Sequence, residues 1–263
     1  MEHLKSVEFI NVLKTIGSIN SKTIIFPKML KSLKIINHED KYKYSGLTIY
    51  DTIDPSYINL ISLTVVSNRM IQNLAFGIPS LQDVEIEEID NLDTSKLVAF
   101  LKANPQIKKL SIRLRSYKKV ILECILYSKN LEHLCINHGY WRGIEVNNHQ
   151  SNYSIKYLKI YGENLPAPTN FQLISACKNL ETLDIDYGCF EKLDLLKFKK
   201  KINVLKLSVN SLPRSAIKKI DTSRLFNKVH LYTVNPNGEF IYQFNFYKLI
   251  LLISEAFIFE LIN

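Results

Sequence analysis

The chain reads as an α/β solenoid: strand-and-helix units stacked so that the strands form one parallel concave sheet and right-handed turns of the stack place the helices on the convex side. Three observations predict this. A short apolar phrase returns at near-constant spacing. The hydrophobic period changes from about 2 inside the phrase to about 3.6 after it. Residues that cap helices precede several of the helical stretches.

The phrase is apolar-x-x-apolar-x-apolar. It occurs as Leu30/Leu33/Ile35, Leu60/Leu63/Val65, Leu81/Val84/Ile86, Ile107/Leu110/Ile112 and Leu131/Leu134/Ile136. It continues as Ile155/Leu158/Ile160, Leu180/Leu183/Ile185, Ile202/Leu205/Leu207 and Phe226/Val229/Leu231. From Leu81 onward the copies start 26, 24, 24, 25, 22 and 24 residues apart. Chance apolar triplets are common, but a period held over seven copies is not, and spacing of this size is that of leucine-rich repeats. Alternate residues of a strand point to opposite sides, so the apolar positions enter the core and the x positions face outward. One unit cannot bury its apolar side alone, and stacked neighbours stabilise each other.

Weaker copies come first: Leu4/Val7/Phe9, and a degenerate Tyr44/Leu47/Ile49. Residues 36–59 therefore read as a distorted repeat or an insertion. Helices are expected where Leu97, Val98 and Leu101 follow Asp93-Thr94-Ser95, and where Val120, Ile121, Cys124 and Ile125 recur on one face. The same holds for Phe171, Ile174 and Cys177 behind Asn170, and for Ala216, Ile217 and Ile220 after Pro213. Between Ile136 and Ile155 the pattern breaks into a polar stretch with two glycines and the only tryptophan, Trp141. This reads either as a functional surface loop or as an irregular outer segment.

At the C-terminal end, Val229–Val234 and Phe240–Phe246 alternate around Asn235-Pro236-Asn237-Gly238, a hairpin turn signal. An apolar helix to Leu261 is expected to follow. The expected division is a solenoid over residues 1–234, irregular at 36–59, and a hairpin-strand and helix cap over 235–263. The phrase begins as early as Leu4, with no obvious cap before it, so either the first unit is atypical and self-capping or the chain is part of a longer architecture.

Composition narrows the class. Of 263 residues 46% are hydrophobic and 22% charged, as in ordinary globular proteins. Lys248, Glu255 and Glu260 interrupt the apolar C-terminal stretch, so no membrane span is expected. No signal-peptide core is visible near Met1. Cys124, Cys135, Cys177 and Cys189 form no CxxC pair, and free thiols point to a reducing compartment, cytoplasmic or nuclear. No metal or cofactor is expected. Without a secretory signal, Asn152-Tyr153-Ser154 reads as a chance glycosylation triplet.

The net charge is +9. Residues 192–228 hold eleven Lys and Arg against Asp194 and Asp221, a local excess of 11 − 2 = +9. The run Lys197, Lys199, Lys200 and Lys201 could bind RNA or an acidic surface, although it also fits the solvated end of an outer helix, and nucleic acid is not the expected partner. Walker, HExxH, GxSxG and dinucleotide motifs are lacking. His133 and Cys135 project from one strand, but catalysis is not expected from them.

The lead-ins Asn104-Pro105-Gln106-Ile107, Ser128-Lys129-Asn130-Leu131 and Cys177-Lys178-Asn179-Leu180 resemble one another. They also resemble the C-x-N/P-L-x-x-L-x-L phrase of ribonuclease-inhibitor-like leucine-rich repeats in F-box proteins, over about Leu30 to Leu231. In that family an Asn or Cys follows eight residues after the first apolar position. Asn68 and Asn210 fit, whereas His38, Ile89, Arg115, Gly139, Glu163, Gly188 and Val234 depart from it, so irregular turns are expected. No F-box opening is visible, and a ubiquitin-ligase adaptor is an implied partner only if an F-box lies outside this chain.

The resemblance implies a protein–protein interaction module, either reading substrates in an F-box-type assembly or acting as a stand-alone scaffold. Stacking sets equivalent x positions side by side, about 4.8 Å apart. One row reads Glu85, Ser111, Cys135, Lys159, Asp184, Lys206 and His230; the next reads Glu87, Arg113, Asn137, Tyr161, Asp186, Ser208 and Tyr232. These charges either satisfy one another across strands or form a polar groove for a protein partner. The candidate contacts are Arg113, His133, Tyr157, Lys159, Tyr161, Asp184, Asp186 and Tyr232 on the concave face, and Tyr140, Trp141 and Arg142 on the loop.

Overall fold

The computed structural model describes residues 4–10, 25–36, 49–137, 150–162, 166–208, 212–232, 244, 247–253 and 256–262. The chain forms two compact units, Met1–His133 and Leu134–Asn263.

In the first unit five strands pair in parallel and in chain order: β1 (Ser6–Ile10), β2 (Ser32–Ile36), β3 (Ser62–Val65), β4 (Asp83–Ile86) and β5 (Lys109–Arg113). The register follows the repeated phrase. Leu33 lies beside Leu63, Val84 beside Leu110, and Ile86 beside Ile112, all buried. β2 pairs directly with β3; of the stretch expected to be irregular, a short 3-10 helix is formed at Ile49–Thr52, and residues 37–48 lie outside the described residues.

A recurring backbone device sets this register. Two successive N–H groups at several strand entries donate to one carbonyl of the preceding repeat. Ile61 and Ser62 donate to Lys31 (2.7 and 3.0 Å), Gln82 and Asp83 to Ile61 (2.9 and 3.0 Å), and Lys108 and Lys109 to Gln82 (2.8 and 2.9 Å). Glu181 and Thr182 do the same to Lys156 in the second unit (2.8 and 2.9 Å). The lead-in asparagines add a second rung. Asn59 Nδ2 donates to the Lys28 carbonyl (3.3 Å), Asn130 to Pro105 (2.9 Å) and Asn179 to Tyr153 (2.8 Å). Each reaches the same place one repeat back, so the asparagines of the family-like lead-in tie turn to turn.

Helices α1 (Asn68–Leu74), α2 (Thr94–Ala103) and α3 (Lys119–Tyr127) alternate with these strands. Asp93 caps α2 as expected, accepting from the Ser95 and Lys96 amides, and Ser67 caps α1 through the Met70 amide. The buried face of α2 is Leu97 and Phe100, and that of α3 is Ile121, Leu122, Ile125 and Leu126. Val120, expected on that face, is exposed.

The turn after α1 depends on Gly77. Its φ is +85°, and a Cβ there would come within 2.7 Å of the Ala103 carbonyl oxygen at the end of α2. Replacing Gly77 by Ala is therefore expected to destabilise the fold by about 2 kcal/mol or more, from the left-handed backbone and the displaced carbonyl together. Urea unfolding measures it; a neutral Gly77→Ala variant would show that the turn can relax.

In the second unit β6 (His133–Asn137), β7 (Tyr157–Tyr161), β8 (Thr182–Asp186), β9 (Ile202–Ser208) and β10 (Phe226–Tyr232) follow in chain order. The pairs from β7 to β10 are parallel. Leu158, Ile160, Leu183, Ile185, Leu205, Leu207, Val229 and Leu231 form the buried rows. Helices α4 (Ala167–Ala176), α5 (Tyr187–Glu191) and α6 (Arg214–Ser223) lie between the strands in sequence. The expected helix positions near 171–177 and 216–220 agree with α4 and α6. The expected repeat is borne out as parallel strands alternating with helices in each unit.

The C-terminal segment corrects the sequence reading. Instead of a helix reaching Leu261, two strands occur: β11 (Tyr247–Ile253) and β12 (Ala256–Leu261) form an antiparallel hairpin. β12 pairs antiparallel with β10, placing Phe259 beside Val229 and Phe257 beside Leu231. The cause is period. Phe257 and Phe259 continue the core row, while Ile258 and Glu260 fall beside His230 and Lys228, an alternation of strand and not of helix. The strand expected at Phe240–Phe246 and the turn at Asn235–Gly238 lie outside the described residues apart from Phe244. Tyr247 is buried and its hydroxyl donates to the Phe226 carbonyl (2.8 Å), which fastens the hairpin to the last parallel strand.

Among the described residues no helix is long and apolar enough to cross a membrane.

Candidate partner-binding face

The outward positions of β7 to β10 bring most of the expected residues together. Strand pairing sets Lys159 beside Asp184, Asp184 beside Lys206, and Lys206 beside His230. Ser208 lies between Asp186 and Tyr232. This is the register expected from the repeat period, and its contacts are more specific than an alternation of charges.

Asp184 is the hub. It is 7% exposed, and its two carboxylate oxygens accept from the hydroxyls of Tyr157 (2.5 Å) and Tyr161 (3.1 Å). The Tyr161 hydroxyl also bonds Ser208 Oγ (2.8 Å), so the network runs from β7 through β8 to β9. The neighbouring lysines engage the tyrosine rings. Lys159 Nζ lies 4.4 Å from the Tyr161 ring centre and Lys206 Nζ 5.5 Å from that of Tyr157, within cation–π range. A buried carboxylate held by two hydroxyls and flanked by two ring-seated cations is well satisfied. It orients both rings through one hydrogen bond on each oxygen.

Asp186 is bonded within the chain. Its Oδ2 accepts from the Gly162 amide (2.5 Å), and its Oδ1 caps α5 through the Cys189 amide (2.7 Å). Tyr232 is more open, at 36% exposure. His230 falls in the same row by the repeat period. Burial, followed by the charges of Lys206 and Lys228, lowers its pKa, which favours a neutral imidazole on this face. Ile258 lies beside His230 on the added strand β12, a neighbour that the repeat period does not encode.

The remaining candidates lie elsewhere. Arg113 pairs with Glu87 at 3.0 Å in the first unit, as the sequence expected of those neighbours, and Arg115 pairs with Glu88 and Asp90. His133 is exposed at the entry to β6. Tyr140, Trp141 and Arg142 lie outside the described residues. Cys135 Sγ contacts Asn137 Oδ1 (3.5 Å). Burial pushes the thiols of Cys177 and Cys189 up to about 12, which keeps them protonated and poorly nucleophilic.

Several tyrosines share a pH signature. Burial raises the pKa of Tyr157, with the Asp184 hydrogen bond adding to it; burial also raises Tyr161, and burial with the Asp184 charge raises Tyr232. Tyr247 is pushed up to about 12 by burial. A phenol whose folded pKa exceeds its unfolded value of 10.0 favours folding fully below pH 10, and that contribution is lost as pH rises toward the folded value. Stability is thus expected to fall between pH 10 and about 12, and Tyr247→Phe should flatten part of the fall. Urea midpoints across this range, with tyrosinate absorbance as a second readout, check it; a pH-independent midpoint would refute it.

No family model matches the chain, and no curated protein matches it.

Proposed function

We propose that the chain is a leucine-rich-repeat horseshoe that recognises a protein partner on its concave face, with the β7–β10 surface as the main contact. The observation that carries this reading is the pinned tyrosine array. Asp184 fixes Tyr157 and Tyr161 by hydrogen bonds, and Lys159 and Lys206 sit against their rings. Aromatic side chains held in one rotamer contribute contact area at little entropic loss, and tyrosine is enriched at interface hot spots. Lys159, Lys206 and the open Tyr232 supply the polar and cationic character that would select an acidic surface. Binding rather than catalysis is supported by a carboxylate whose oxygens are already engaged and by buried thiols that stay protonated.

The assignment to the substrate-reading part of an F-box-type ubiquitin ligase rests on the lead-in phrase alone, and a stand-alone scaffold uses the same face. Photo-cross-linking separates face from bystander surface. A benzophenone amino acid at Tyr232 is expected to capture a defined protein in cells, and Lys206→Glu should abolish capture. The same label at Leu196, which is 76% exposed, should not capture it. Equal capture from both positions, or capture insensitive to Lys206→Glu, refutes the face. Co-expression with the cullin ligase adaptor tests the narrower reading: a direct complex supports it, and an adaptor that fails to bind even the complete gene product ends it.

A further inference from the structure

The basic segment noted in the sequence borders a cavity that the partner-binding face does not use. Phe171, Ile174 and Cys177, from α4 and the turn after it, line one side, and Leu180, Phe198 and Ile202 the other, around about 280 Å³. The Phe171 and Phe198 rings stand 4.8 Å apart. This volume is at the small end of ligand pockets, which are mostly apolar with a few polar groups at fixed positions.

Its charged groups are of one sign. Lys178, Lys197, Lys199 and Lys200 line the cavity, and among the described residues no carboxylate does. Lys197 has a carboxylate partner nearby, Asp194 at 3.6 Å. Lys178 and Lys200 instead donate to backbone carbonyls, of Ser175 (2.9 Å) and of Lys178 (2.6 Å). These bonds hold the ammonium groups in place without neutralising them. Like charges gathered at the mouth of a low-dielectric hollow raise the local potential and attract an anion. An apolar hollow offers water too few hydrogen bonds to hold it well, so a methylene chain is its natural occupant. The Cys177 thiol, kept neutral by burial, adds to that apolar lining. An RNA strand would use the lysines and leave the hollow unfilled.

We propose that this cavity binds a medium-chain carboxylate, its chain packed against the Phe171–Phe198 ring pair and its carboxylate against Lys178, Lys199 and Lys200. The site is independent of the concave-face reading, and either stands if the other fails.

Isothermal titration of the full chain with hexanoate, octanoate and decanoate, below their micellar concentrations, tests it. Each added methylene is expected to tighten binding roughly twofold to fourfold until the cavity is full. Octan-1-ol should bind about tenfold more weakly than octanoate, because it lacks the charge that the lysines meet. Ser175→Trp, which places an indole in the cavity, should weaken octanoate about tenfold or more. The exposed pair Lys199→Glu with Lys200→Glu should weaken octanoate severalfold and leave octan-1-ol unchanged. This pair keeps the test decisive if the Trp variant does not fold. Octanoate binding no tighter than octan-1-ol, affinity independent of chain length, or wild-type affinity in the charge-reversed pair would overturn the proposal. So would a uridine oligonucleotide that binds through the same lysines while octanoate does not.

Discussion

Asn104→Ala is expected to lower the free energy of unfolding by about 3 kcal/mol, roughly 1 kcal/mol for each of its hydrogen bonds to backbone groups. Asn104 is 1% exposed. Its Oδ1 accepts from the Ile78 amide (2.8 Å), and its Nδ2 donates to the carbonyls of Leu74 (3.1 Å) and Phe100 (2.8 Å). The side chain therefore serves the end of α1, the turn at Ile78 and the last turn of α2. Alanine leaves these three backbone groups without that partner and opens a small void. A loss of this size is a large fraction of the stability of an ordinary domain. Urea unfolding should show a lower midpoint at unchanged slope. A change below about 0.5 kcal/mol would mean that the backbone groups find other partners. Asn104→Asp separates shape from chemistry. It keeps the acceptor for Ile78 but loses the donor to two carbonyls, so it should be no better than alanine.

Asp184→Ala carries the second large effect, a loss of about 2 kcal/mol with consequences for the face. The Tyr157 hydroxyl loses its 2.5 Å acceptor, while that of Tyr161 keeps Ser208. Tyr157 should therefore be the more affected ring, and its pKa should move down toward the ordinary range, because the Asp184 hydrogen bond and charge both help to hold it up. A double-mutant cycle with Tyr157→Phe is expected to show coupling of about 1 kcal/mol or more. The contrary outcome is equally clear. If Asp184 were a carboxylate held under strain for a ligand, its removal would relieve a desolvated charge and stabilise the fold. Stabilisation by Asp184→Ala would thus convert the hub of the tyrosine array into a ligand-binding group.

The C-terminal segment shows where sequence reading reaches its limit. Tyr247–Ile253 is nearly all apolar, and a continuous apolar run carries no usable period. Helix and strand then differ only in what covers them. The choice is made by β10, whose free edge offers backbone groups to β12 from Lys228 to Tyr232. Gly77 shows the same limit on a smaller scale. A glycine in a loop is unremarkable in a sequence, and its necessity comes from the Ala103 carbonyl, 26 residues away in the chain.

The site divides in the same way. The repeat period is enough to place Lys159, Asp184 and Lys206 in one row and Tyr161 and Ser208 in the next, because equal spacing with alternating orientation sets which residues become neighbours. Within that row it cannot decide between an ion-pair ladder and anything else. The tyrosine hydroxyls reach Asp184 from two places along β7, and the ammonium groups settle over the rings; side-chain length and rotamer decide this, and the strand pattern does not encode them. That Asp186 caps a helix is hidden from the strand pattern for a similar reason, since the amides that bond it belong to Gly162 and Cys189.

By itself, then, the sequence determined a stack of parallel strand-and-helix repeats, the phase of each strand and the list of side chains facing outward, because these follow from periodicity and from the need to bury one face. Only the tertiary structure decided that the last elements are strands, that Asp184 is spent on holding two tyrosines, and that four lysines meet around an apolar hollow. Those outcomes depend on which groups from distant repeats compete for the same hydrogen bonds and the same space, and no local pattern records that competition.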